Sequence, residues 1–234
     1  MTPAKTAWLC AGALLTGVLF TQVPTASAAC GDNPEPGVDW SRCEKEKKIL
    51  QGQNLERGKF IQTDFNGGNL AEVNFSGAIL IRANFMRASL KDANLEGADL
   101  AKAIGHRALF QHANMTAAIL TKAEMSRAKF TGANLTFANL SKADLSRANL
   151  AESELRRADF RFANISRALF KGATINETNF EGAYTLLTHF EGVDLTKAKG
   201  LTQPQIDIAC GDEDTKLPAG LTRPADWPCD YDGE

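Results

Sequence analysis

From Leu55 to Leu195 a bulky apolar residue recurs at nearly every fifth position, and a small residue, usually alanine, stands two places before it. The segments Ala133-Asn134-Leu135-Thr136-Phe137, Ala138-Asn139-Leu140-Ser141-Lys142 and Ala143-Asp144-Leu145-Ser146-Arg147 repeat one phrase. A period of five fits neither the helical period of about 3.6 nor the strand period of two, so the chain has to turn once per repeat. The bulky and the small residue then share an interior, and the other three positions face solvent. Burying one such side chain contributes about 1.5–3 kcal/mol, whereas ordering five backbone units costs roughly 5–10 kcal/mol. A single repeat is therefore unstable alone. Backbone ladders between coils, contacts of the small residue and neighbouring repeats must supply the remainder, which makes the array a stacked solenoid.

With a central Leu or Phe, Asn or Asp before it and Ala before that, the array resembles the pentapeptide-repeat family, whose motif is written A(D/N)LXX. The resemblance implies an all-β fold: a right-handed, quadrilateral parallel β-helix with four pentapeptides per coil and short helical or coil caps. Residues twenty apart then stack. One interior column reads Leu55, Phe75, Leu95, Met115, Leu135, Leu155, Ile175, Leu195, and another reads Phe65, Phe85, Gly105, Met125, Leu145, Ile165, Thr185. Gly105 and Thr185 break the rule, so Ile104 and Tyr184 beside them are expected to turn partly inward or to border a bulge. About seven coils at roughly 4.8 Å each predict a rod of about 34 Å before caps.

The flanks read differently. Lys5, an apolar run from Trp8 to Phe20 and Ala26-Ser27-Ala28 predict an export signal over residues 1–28, cleaved near Ala28. The run is about a dozen residues where a span needs roughly 20, which argues against a membrane anchor. Ser27 stands where bacterial lipoprotein sites usually carry Leu, which argues against lipidation of Cys30. A periplasmic or secreted location follows, with no transmembrane span after cleavage. Cys30, Cys43, Cys210 and Cys229 then remain, an even count with three connectivities. Local pairing, Cys30–Cys43 and Cys210–Cys229, is expected because each pair flanks the array on one side. A zinc site is disfavoured because no CxxC occurs. Residues 29–53 are expected to form an N-terminal cap with a short polar helix at Asp39–Lys48, residues 54–200 the β-helix, and residues 201–234 a C-terminal cap. Thr202 and Gln205 resemble a capping box that predicts a helix over Pro204–Ala209.

Composition is that of an ordinary globular chain, with a formal net charge of −2. No whole-chain argument for nucleic acid follows, so any electrostatic role must come from distribution. Arg87, Arg107, Arg127, Arg147 and Arg167 form one surface column and Arg82, Lys102, Lys122 and Lys142 its neighbour. Together they are a candidate anion-binding ridge, and an envelope protein or an anionic envelope polymer is the expected kind of partner. Against this, Glu72, Asp92 and Glu152 occupy the next face, close enough in register to pair with the arginines. Asn54, Asn74, Asn94, Asn114 and Asn134 should form a structural amide ladder. Ile61, Ile79, Ile81, Ile119, Phe137 and Phe162 take outward positions.

Catalytic chemistry has little support. His106, His112 and His189 point outward without a recognisable nucleophile and acidic orienter. His106 and His112 near Gly105 are a weak metal hint, no metal or other cofactor is expected, and no phosphate-binding glycine loop occurs. The expected function is a non-enzymatic scaffold or interaction role in the cell envelope. The alternative is an exported carbohydrate-acting or metal-binding protein. Least favoured is the DNA-mimicking topoisomerase binder known within the family, which carries an acidic surface in the cytoplasm, whereas this array is slightly basic and follows an export signal.

Overall fold

The structure, a computed structural model, describes residues 29–229. The export signal read at residues 1–28 lies outside the described residues. From Val38 onward every five residues make one turn and one isolated parallel bridge, and nearly every bridge joins residues twenty apart. Four such units complete a coil, so the rod has four sides. One column runs through eight successive bridges, from Asp39 by way of Ile119 to Lys199.

The corners explain how a chain with few glycines turns so often. The small residue's N–H donates to the carbonyl of the central residue three before it, as Ala128 does to Met125 at 3.0 Å. The residue just before the small one has positive φ at every corner from Gly37 to Gly192, and 23 of these residues are not glycine. A hydrogen-bonded turn with positive φ at its third position has the character of type II. Each such L-residue carries about 1–2 kcal/mol of left-handed strain. Its own amide bonds to the next coil, as Arg127 N–H does to the Ser146 carbonyl at 2.9 Å, and this ladder holds it there.

Inside, the columns are as expected. Leu55, Phe75, Leu95, Met115, Leu135, Leu155 and Leu195 are fully buried, and the alanines beside them fill the gaps. Aromatic rings in one column lie one coil apart: Phe110 and Phe130 stack with centroids 5.0 Å apart and planes 4° from parallel. Rings in adjacent columns meet edge to face instead, as Phe60 and Phe65 do at 5.8 Å. Both geometries suit the aromatic quadrupole.

The two exceptions produce no bulge. Ile104 and Tyr184 keep the regular bridges to Asn84, Glu124 and Asn164, and Tyr184 is 51% exposed. Gly105 leaves space that its column neighbour fills, since a Cβ there would collide with the sulfur of Met125. Thr185 faces the end of the rod, where its buried hydroxyl donates to the Gln205 carbonyl at 2.7 Å.

The N-terminal cap expected over residues 29–53 is already solenoid from Val38, and Asp39–Lys48 is not helical. Trp40, Lys45 and Leu50 hold interior positions of the first coil, and Lys45 is only 8% exposed. Its ammonium lies over the Trp40 ring, 3.6 Å from the centroid, and donates to the Cys30 carbonyl at 2.8 Å. The polar end of one lysine thus closes the bottom of an apolar stack, and the Cys30–Cys43 disulfide holds the strap beneath it.

The opposite end is closed by a short helix, α1, at Gln203–Asp207, which starts one residue earlier and ends two earlier than predicted. Gln205 supplies the closure. Its Nε2 donates to the carbonyls of Phe180 and Ala183, both at 2.9 Å, and its Oε1 accepts the Thr202 N–H at 3.0 Å. Beyond α1 the chain adds a last irregular rung through the bridges His189–Cys210 and Asp194–Lys216. The Cys210–Cys229 disulfide and the Trp227 Nε1 bond to the Ala209 carbonyl at 2.7 Å tie the tail across.

Acid should loosen this cap first. The hydroxyl and amide of Thr196 hold the Asp194 carboxyl below its ordinary range. Burial pushes Asp212 upward, but the Gly192 amide and the Thr215 hydroxyl and amide outweigh it and leave the pKa lowered. A carboxylate with a depressed folded pKa stabilises above its unfolded pKa and loses that contribution as pH falls through the folded one. Near-ultraviolet circular dichroism of Trp227 is therefore expected to change below about pH 4, before the core amides lose hydrogen-exchange protection. Simultaneous loss of both signals would remove the cap from its role as the acid-labile part.

Candidate functional site

The left-handed corner residues form four columns, and their composition differs. One carries Arg87, Arg107, Arg127, Arg147 and Arg167, all with φ between 56° and 58°. Identical backbone geometry at each rung starts the side chains in parallel directions about 4.8 Å apart. The next column carries Arg82, Lys102, Lys122 and Lys142, with φ between 58° and 60°. Eight of these nine side chains are exposed, and Arg167 is half-buried.

Neighbouring acids do not neutralise the ridge. Glu72, Asp92 and Glu152, read as partners for the arginines, form no ion pair with Arg87, Arg107, Arg127 or Arg147 among the described residues. Ion pairs elsewhere are plain: Arg157 and Lys199 share Glu177 at 3.2 and 3.1 Å, and Arg161 binds Asp159 at 2.8 Å. Among the described residues Arg82, Arg87, Lys102, Arg107, Lys122, Arg127, Lys142 and Arg147 have no carboxylate within 4.0 Å.

Beside the arginines runs a groove of about 340 Å3 lined by His106, Arg107, Ser126, Arg127, Ser146 and Arg147. His106 was not legible as part of it. Its Nδ1 lies 2.7 Å from the Ser126 hydroxyl and its Nε2 3.4 Å from Glu124 Oε2. A serine, a histidine and a carboxylate in a row have the order of a hydrolase triad without its enclosure, because Glu124 is 58% exposed and the groove is open. Register within the stack, rather than any local motif, was the signal that would have joined residues 106, 124 and 126.

The remaining candidates separate. His106 and His112 sit on different corners with the buried Ala108 and Phe110 between them, and no group of metal-binding side chains is found among the described residues. His189 bonds Glu191 at 2.8 Å. Asn74, Asn94 and Asn114 each donate to the asparagine one coil before, at 2.9, 3.1 and 3.2 Å, which makes that column structural. Ile61, Ile79 and Ile81 are half-buried, while Ile119, Phe137 and Phe162 are exposed. Among the described residues no helix is long and apolar enough to cross a membrane.

Twenty-residue coils, left-handed corners and alanine-backed central columns define a pentapeptide solenoid. The family profile described as "Pentapeptide repeats (8 copies)" matches residues 49–80 and 69–104, and that described as "Pentapeptide repeat region" matches residues 103–180. The chain belongs to the pentapeptide-repeat family. No curated protein sequence matches it. A trypsin-treated form of QnrB1, a plasmid-mediated fluoroquinolone resistance protein, is similar at 23% identity and a TM-score of 0.57, over 80% of this chain and 93% of that one. A second trypsin-treated form is similar at 25% identity and a TM-score of 0.53, over 75% and 88%. HetL, involved in heterocyst differentiation regulation in the cyanobacterium Nostoc, is similar at 26% identity and a TM-score of 0.34, over 82% and 94%.

Proposed function

We propose that the protein is an exported, non-catalytic rod of the cell envelope, located in the periplasm or secreted, that holds an anionic partner along its arginine and lysine columns. Its solenoid is taken as right-handed and quadrilateral, like the β-helices it resembles. The observation that carries this reading is the un-neutralised ridge: eight cationic side chains in two adjacent columns, none within ion-pair distance of a carboxylate among the described residues. Like charges one coil apart repel, and an anionic partner removes that repulsion. Two disulfides at opposite ends fit an oxidising compartment. A DNA-like acidic face is the opposite of this surface, so the topoisomerase-binding role has no support in it.

The test is binding of the purified protein to isolated envelope fractions at low and high salt, beside a variant carrying Arg107→Glu, Arg127→Glu and Arg147→Glu. Retention is expected to fall at least about tenfold both with salt and in the variant. Equal retention of the two proteins would return the ridge to an ordinary solvated surface.

A further inference from the structure

The Arg82–Lys142 column and the Arg87–Arg167 column are the two edges of one side of the rod. At the C-terminal end of that side the character changes. Its corners pass from Lys142 to Phe162 and from Arg167 to Leu187, and the surface between them ends in Tyr184 and Leu186. The Phe162 ring reaches the last coil, because a Cβ on Gly182 would fall 2.7 Å from its Cδ1. Ile208 continues the Leu187 corner by one rung, its carbonyl accepting the Leu187 amide at 2.7 Å. Eight large apolar side chains are exposed among the described residues, and Phe162, Tyr184, Leu186 and Ile208 gather here, so this is a patch rather than scatter.

Carboxylates on this side do not cancel its edges. Asp64 and Asp144 accept the backbone amides of Asn66 and Ser146 at 2.8 and 3.0 Å, and the side-chain amides of Asn84 and Asn164, both at 3.0 Å. Glu124 is turned to His106 Nε2 at 3.4 Å. Nine cations in the two columns outnumber these three acids, so the side stays basic. Glu181 and Asp207 border the apolar end: Glu181 interacts with Arg161 one coil away, and Asp207 accepts the Gln203 side-chain amide at 2.7 Å. The corner diagonally across from the Arg82 column carries Glu72, Asp92 and Glu152 instead, and this asymmetry turns the basic side toward an anionic surface.

We infer that this side of the rod lies on an anionic phospholipid surface, with its two cationic columns over the headgroups and Phe162, Tyr184, Leu186 and Ile208 seated at the boundary with the acyl chains. The inference rests on the anion-binding reading of the ridge and names its partner. A soluble polyanion would engage the columns and leave the apolar end in water, whereas a lipid leaflet engages both. Left-handed corners repeated at about 4.8 Å hold the arginine column straight over about 19 Å, a shape that suits a plane. Reversible attachment to a leaflet generally needs two signals, an apolar one and a polybasic one, and aromatic rings favour the interface. Each lysine or arginine near an anionic leaflet strengthens binding roughly fivefold.

The test uses the protein without residues 1–28, since the apolar run from Trp8 to Phe20 would enter lipid by itself. It is sedimented with vesicles of mixed phosphatidylglycerol and phosphatidylcholine, or of phosphatidylcholine alone. Binding to the mixed vesicles is expected to be at least about tenfold tighter, and to fall at least about tenfold in the variant carrying Arg107→Glu, Arg127→Glu and Arg147→Glu. Phe162→Ala with Tyr184→Ala keeps every charge and should still weaken it at least about fivefold. Tyr184→Trp supplies a reporter whose fluorescence should be quenched by lipids brominated on the acyl chain, while the buried Trp40 and Trp227 are not. Arginine-dependent binding that ignores Phe162→Ala with Tyr184→Ala and shows no quenching would overturn the lipid-seated end and leave a diffuse anion surface. Absence of vesicle binding, with arginine-dependent retention on envelope fractions, would overturn the lipid and give the face to an acidic protein or polymer. Self-association lost in Phe162→Ala with Tyr184→Ala, in place of vesicle binding, would give the apolar end to a second copy. Indifference of vesicle and envelope binding alike to the three arginines would sink both readings.

Discussion

Phe130→Ala is expected to cost about 3–5 kcal/mol and to lower the urea midpoint more than any single surface change. Phe130 is fully buried at mid-rod and stacked on Phe110, so its removal leaves a cavity that the coils above and below cannot close without breaking their ladders. A solenoid transmits such a defect to both sides because each coil is stabilised only by its neighbours. Phe162→Ala is the control: that ring is 59% exposed, and its loss should stay within roughly 0.5 kcal/mol of wild type. Comparable effects for the two phenylalanines would mean that the interior columns do not carry the stability assigned to them.

Gln205→Leu should have the next largest effect, with a different spatial pattern. The leucine fills similar space but leaves the Ala183 carbonyl and the Thr202 amide without partners at a nearly closed end. Phe180 retains one donor, the Ala183 N–H at 3.0 Å. The buried Ala183 carbonyl costs about 1–3 kcal/mol when unpaired and the amide of the exposed Thr202 about 1 kcal/mol at most, for an expected loss of about 1–4 kcal/mol. The loss should be local. Hydrogen exchange is expected to accelerate across α1 and the last irregular rung while amides around Phe130 stay protected. An opened end also presents an unpaired edge, so the variant should self-associate at concentrations where the wild type does not. A variant that unfolds as a single unit, or one that stays sealed, would contradict the role given to Gln205.

The interior columns could be read from the chain because burial at every fifth position is a strong, regular constraint. The first coil was hidden by Lys45, a charged residue at an interior position, which makes sense only once its ammonium is seen over Trp40 and against the Cys30 carbonyl. Gly105 looked like a fault in the repeat, whereas it is half of a matched pair with Met125. The groove was half legible. Its arginines follow from twenty-residue register, whereas the contacts of His106 with Ser126 and Glu124 join residues of neighbouring coils that no local motif links. The left-handed corners were equally silent, because Arg, Lys, Glu and Phe at such positions run against the ordinary preference for glycine or asparagine.

That last feature bears on how the surface persists. Each corner is a site where glycine removes about 1–2 kcal/mol of strain and returns roughly 0.5–1 kcal/mol in unfolded-chain entropy, a net gain or at worst no loss. Nine corners from Gly37 to Gly192 have taken that course. The column from Arg87 to Arg167 has not, at five rungs in succession. Drift under stability alone runs downhill toward a smooth, glycine-cornered rod, so an unbroken row of arginines stands against that slope.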